Sequence, residues 1–214
     1  MSSELLGIIL NTFYVSAIPT LLAVAVGTPA AYALYVRGGR LAGAVEALFN
    51  GLVGVPTVLL GLLLYLLLAR TGPLGFLNIL YTLNAVVVGH FLFVLPLYVA
   101  FATTAFRSVD VKVLEVLRMF PMPAWRRHML VVREAVGGLA AAAAAAFSRA
   151  MGELGIALML GGDIRFRTRV LTTAIAHETM LGNWDAAIQL GAVLLALSVS
   201  VSAVVYALGY KYRG

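Results

Sequence analysis

The 214 residues are 62% hydrophobic and 11% charged, which is more apolar surface than one water-soluble core can hide. Lys and Arg number 15 against 9 Asp and Glu, but the basic residues gather in short islands beside long apolar stretches, so headgroup contact and membrane orientation account for the net charge of +6 and no nucleic-acid partner is implied. The chain has no cysteine, which excludes a disulfide framework, a thiolate metal site and a cysteine nucleophile.

Taken in chain order, Met1-Ser2-Ser3-Glu4 shows neither a basic flank nor a small-residue cleavage site, so the first apolar run is expected to stay in the mature protein. Apolar runs cover residues 5–36, 45–69, 83–106, 135–160 and 186–208, each long enough to cross a bilayer core of about 30 Å at about 1.5 Å per helical residue. The expectation is an all-α membrane protein, a single transmembrane domain over residues 1–214 with five spans. The first run exceeds one crossing and contains Asn11, Ser16, Pro19 and Pro29, so it is expected to start along the interface, or to tilt and kink. With five spans the termini lie on opposite faces. If residues 107–134 are cytoplasmic, that face carries Arg37, Arg40, Arg107, Lys112, Arg118, Arg126, Arg127, Arg133, Lys211 and Arg213, against Arg70, Arg165, Arg167 and Arg169 outside. That asymmetry predicts the N-terminus outside and the C-terminus in the cytoplasm of a multi-pass cell-membrane protein.

Residues 107–134 mix charges with Val116, Leu117, Met119, Phe120, Met122 and Trp125, punctuated by Pro121 and Pro123, a pattern expected to form two short helices with a break. Met, Phe and Trp displayed in water invite a cover. One reading is a docking knob for a soluble partner, and the other an interfacial helix lying on lipid.

Further on, Arg149 and Glu153 stand four residues apart inside an apolar run, where they are expected to share a helix face and pair. A charge at mid-membrane costs at least about 2.5–3.5 kcal/mol, so this face should look into the bundle or onto a water-filled path. Arg149 then either locks two helices through Glu153 or lines the route of an anion. The run Ala140 to Ala146 before it reads as close helix packing. Arg165, Arg167 and Arg169 either draw an anion towards a pore mouth or anchor to headgroups and pair with Asp163 and Asp185. Thr172, Thr173, His177, Glu178 and Thr179 supply hydroxyl, imidazole and carboxylate groups suited to a gate or to contacts with a delivery protein. His90, His128 and His177 show no spacing that would hold a metal.

Missing motifs narrow the class. No Gly-x-x-x-x-Gly-Lys-Ser/Thr phosphate loop occurs, so the chain is expected to bind no cofactor itself and not to hydrolyse ATP on its own. A Gly-x-Ser-x-Gly elbow and a His-Glu-x-x-His helix are absent as well, so a non-catalytic subunit is expected. A self-contained secondary transporter or channel remains the rival class, although five spans with one elaborate loop lack the repeated halves common there.

The loop resembles the coupling loop of type I ABC importer permeases, whose signature runs Glu-Ala-Ala, three residues, Gly, nine residues, Ile, one residue, Leu-Pro. Here it reads Glu115-Val116-Leu117, then Arg118, Met119 and Phe120, Pro121 where Gly is usual, Val131 after nine intervening residues, and Arg133-Glu134 in place of Leu-Pro. Residues 20–34 (TLLAVAVGTPAAYAL) and 54–62 (GVPTVLLGL) resemble the first core helices of molybdate and tungstate permeases. Arg133-Glu134-Ala135, SRAMGELGIALMLGGDI (148–164) and TRVLTTAIAHETMLGNWDAAIQLG (168–191) resemble the tungstate branch. The resemblance implies an importer permease for an oxyanion, tungstate ahead of molybdate, working by alternating access. It implies a second copy of the chain, two cytoplasmic ATP-binding subunits and an extracellular or periplasmic tungstate- or molybdate-binding protein as partners within the lipid membrane. Glu115, Val116, Leu117, Met119, Phe120, Pro121, Met122 and Pro123 would form the ATPase contact.

Overall fold

A computed structural model describes residues 2–110, 119 and 122–211, and every described element is helical, with no strand among them. The longest apolar run folds as one helix, α1 (Ser2–Arg37), with Pro19 and Pro29 inside it rather than ending it. Helix α2 (Gly39–Leu52) and helix α3 (Thr57–Leu68) occupy the second run but meet at 95°. Pro56 explains the corner, because it lacks an amide and holds Val55 away from helical backbone, so the chain restarts with Pro56 as N-cap.

Helix α4 (Leu83–Arg107) starts at Thr82, whose hydroxyl accepts from the Ala85 amide at 3.4 Å. Further along, α5 (Ala124–Glu134) follows Pro123 and meets α6 (Val136–Met151) at 61°. The fourth apolar run was expected to continue to residue 160, yet α6 stops at Met151. After Gly152 the chain re-forms a single π-turn over Ala157–Gly161. Two more helices complete the chain, α7 (Leu171–Met180) and α8 (Trp184–Lys211).

Among the described residues, three helices are long and apolar enough to cross a membrane: α1, α4 and α8. The bent pairs α2–α3 and α5–α6 pass the same test together, giving up to five crossings if each pair is one span. Within the most apolar stretch of each, 61% of α4 is buried, 39% of α1 and none of α8. Helix α4 is therefore the central post, α1 packs along it, and α8 lies outermost, touching α6 and α7. Small residues permit the closest approaches. A Cβ on Gly138 of α6 would stand 2.5 Å from Ala105 Cβ of α4, and one on Gly89 would stand 2.5 Å from Ile156 and 2.7 Å from Leu160.

Candidate functional site

Arg149 sits in the last turn of α6 and is exposed on the surface of the single chain. Its guanidinium carbon lies 4.9 Å from the ring centroid of Phe93, a residue ten positions into the 25-residue α4, so the charge stands near mid-depth of a span. The expected pair with Glu153 does not form: no ion pair joins the two among the described residues. The reason is local backbone. An i,i+4 pair needs continuous helix, and α6 ends at Met151 with Gly152 as its cap. Glu153 instead turns inward, 4% exposed, and its Oε1 accepts from the Ile156 amide at 3.2 Å, capping the turn that follows.

Thr172 joins Glu153 directly, donating its hydroxyl to the Glu153 carbonyl at 3.0 Å from the first turn of α7. Thr173 is spent on its own helix start: its Oγ1 accepts from the Val170 amide and donates to the Val170 carbonyl, both at 3.1 Å. His177, one turn further, places Nδ1 3.5 Å from Asp163 and is half-exposed. Asp163 is held by Arg169 through two contacts of 3.0 and 2.9 Å. Arg165 makes its own two-pronged pair with Glu4 at 2.7 and 2.6 Å, and this hydrogen bonding holds the Arg165 guanidinium above the ordinary arginine pKa. Two of the three arginines of this segment are thus neutralised by carboxylates, Asp163 but not Asp185 among the partners expected. Around them a cavity of about 870 Å³ is walled by α1, α7, α8 and the 165–169 turn, apolar inside at Ile8 and polar at Glu4, Arg165 and His177.

Sequence reasoning missed what ties this end together. Asn11 of α1 donates to the carbonyls of Arg167 and Arg169 at 3.3 and 3.1 Å, and Thr12 Oγ1 accepts from the Leu171 amide at 2.8 Å, so α1 caps α7 from the side. The signal was present in the four-residue spacing of Thr12, Ser16 and Thr20, each buried and bonded back to the carbonyl four positions earlier.

Of the expected coupling residues, Glu115, Val116, Leu117, Phe120 and Pro121 lie outside the described residues. Met119 is exposed, Met122 packs partly buried against the main core, and Pro123 forms the N-cap of α5. Trp125 and Met129 of α5 are exposed, with Arg126 stacked 5.7 Å from the Trp125 ring.

The family model described as "binding-protein-dependent transport system inner membrane component" matches residues 23–214. The chain belongs to this family. This permease is 32% identical over 201 residues to the tungstate uptake system permease protein TupB of Peptoclostridium acidaminophilum, covering 94% of this chain and 88% of the relative. It is 35% identical over 207 residues, with the same coverage, to a probable anion ABC transporter permease protein of Haloferax volcanii. In fold it is similar to an inward-facing MetNI methionine ABC transporter structure, with a TM-score of 0.77 at 18% identity over 99% of this chain and 97% of that one. The permease is an integral membrane protein, with α1, α4 and α8 each long and apolar enough to cross a bilayer.

Proposed function

We propose that this permease carries a tungstate-class oxyanion into the cell by alternating access, as the membrane subunit of an ATP-driven importer. One observation carries the reading: Arg149 is exposed on the single chain, near mid-depth, without a carboxylate partner among the described residues. Facing lipid, that charge costs at least about 2.5–3.5 kcal/mol, which favours a position against a second copy or a water-filled route. A planar guanidinium offers two parallel donors to an oxyanion, and two copies of Arg149 match the charge of a tetrahedral dianion. The kinship to permeases named for tungstate and for an anion supports the same substrate class. Molybdate, of the same shape and charge, is the alternative cargo.

In this reading the membrane-spanning domain has five crossings, with the bent pairs α2–α3 and α5–α6 each counting as one. The N-terminus lies outside, since ten basic residues then fall on the cytoplasmic face against four outside. The Glu4–Arg165 end faces the oxyanion-binding delivery protein, and Thr172, Thr173 and His177 stand beside the outer entrance. Residues 115–123 contact two cytoplasmic subunits that bind ATP and Mg. The test is uptake by vesicles carrying the whole transporter. Tungstate should accumulate at lower external concentration than molybdate, and F120D should uncouple transport while the chain still inserts. Equal or reversed preference would reassign the cargo, and unchanged ATPase association and transport in F120D would remove the coupling assignment.

A further inference from the structure

His90 is 1% exposed in the middle of α4, and its Nδ1 lies 2.7 Å from the backbone carbonyl of Val15 in α1. That carbonyl is not an arbitrary acceptor. In an α-helix the carbonyl of residue i takes the amide of residue i+4, and here i+4 is Pro19, which has none. Pro19 thus strips Val15 of its helical donor at a buried point, and a buried carbonyl left unpaired is costly. We propose that His90 is the replacement donor, a pin that holds the N-terminal half of α1 on α4 by satisfying the carbonyl that Pro19 leaves without an amide.

Three features fit this assignment. A carbonyl only accepts, so the proton must sit on Nδ1, leaving Nε2 as a bare acceptor; Nε2 has no hydrogen-bond partner among the described residues. The half of α1 before Pro19 is tied elsewhere too, through Asn11 and Thr12 to residues 167–171, so the pin works beside contacts that hold the same half of the helix to the start of α7. Beyond Pro19 the helix is fixed to the same α4, by the Thr28 hydroxyl against the Tyr98 hydroxyl at 2.7 Å. Both halves of α1 are therefore held on α4, on either side of the amide that Pro19 lacks. The pin is independent of the cargo and of the route assigned to it.

Nitrogen-15 spectra of histidine-labelled protein in detergent, with His128 and His177 replaced by Gln so that His90 alone reports, read the tautomer without disturbing the pin. A neutral ring protonated on Nδ1 is expected, and protonation on Nε2 or a rapidly exchanging mixture overturns the proposal. A double-mutant cycle tests the energetic link. H90L should lower Tm by several degrees in the parent, whereas P19A supplies Val15 with an amide at position 19, so H90L should lower Tm by less than half as much in that background. Equal losses in both backgrounds would show that His90 merely fills space. Should H90L fail to fold, recovery of folded protein in P19A/H90L supports the pin, and the tautomer of the parent chain decides the matter if neither variant folds.

Discussion

Replacing Glu153 separates two accounts of the charged turn after α6 by magnitude alone. A buried ion pair with Arg149 would make E153Q cost about 3–5 kcal/mol, the penalty for stranding one partner. The geometry has a different content: Oε1 accepts the Ile156 amide at 3.2 Å, and glutamine keeps an acceptor in that place. E153Q should therefore cost less than about 1 kcal/mol, whereas E153A leaves a buried amide unpaired and costs about 1–3 kcal/mol. For a chain of this length each kcal/mol moves Tm by roughly 2–4 °C, so E153A should fall by about 2–12 °C and E153Q by no more than about 4 °C. Adding R149M should change stability by the same amount in the parent and in E153Q, within about 0.5 kcal/mol. Thermal unfolding in detergent reads all four variants. A larger loss for E153Q than for E153A, or rescue of E153Q by R149M, would refute the capping account and restore the pair.

Other substitutions check neighbouring contacts. G138A puts a methyl 2.5 Å from Ala105 Cβ and 3.2 Å from its Cα, so backbone must move and a loss of about 1–3 kcal/mol is expected in Tm measurements. T12V removes the acceptor for the Leu171 amide, and a loss of about 1–3 kcal/mol should appear together with faster amide exchange in the first turn of α7. D163N breaks the two-contact pair with Arg169, whose side chain is 12% exposed, and should cost about 1.5–3 kcal/mol; an unchanged Tm would mean that pair contributes nothing.

Long apolar runs made α1, α4 and α8 legible, because a twenty-residue window of Leu, Val and Ala has no other low-energy arrangement in lipid. Breaks inside runs were harder. Gly152 ends α6 within the apolar run that reaches Leu160, where composition shows no boundary, and the same glycine separates Arg149 from Glu153 in space. Helix α7 was hidden because Thr172, Thr173, His177 and Glu178 read as a polar segment, while its Leu171 amide is met by Thr12 and the turn before it is held by Asn11, more than 150 residues away. Thr172 was legible as a hydroxyl suited to a gate, but its bond to the Glu153 carbonyl depends on where the turn after Gly152 points. Pro19 was visible as a helix irregularity; His90, its partner across the bundle, carries no local mark of that role.

The central claim is that the chain, energised by an ATPase partner, moves an oxyanion past Arg149. Proteoliposomes containing the chain with its ATP-binding subunits and delivery protein measure this directly, as tungstate uptake with and without ATP for the parent and R149M. The account predicts uptake that requires ATP in the parent and is lost in R149M while the subunits remain assembled. Uptake that proceeds without ATP, or at the parental rate in R149M, would contradict it.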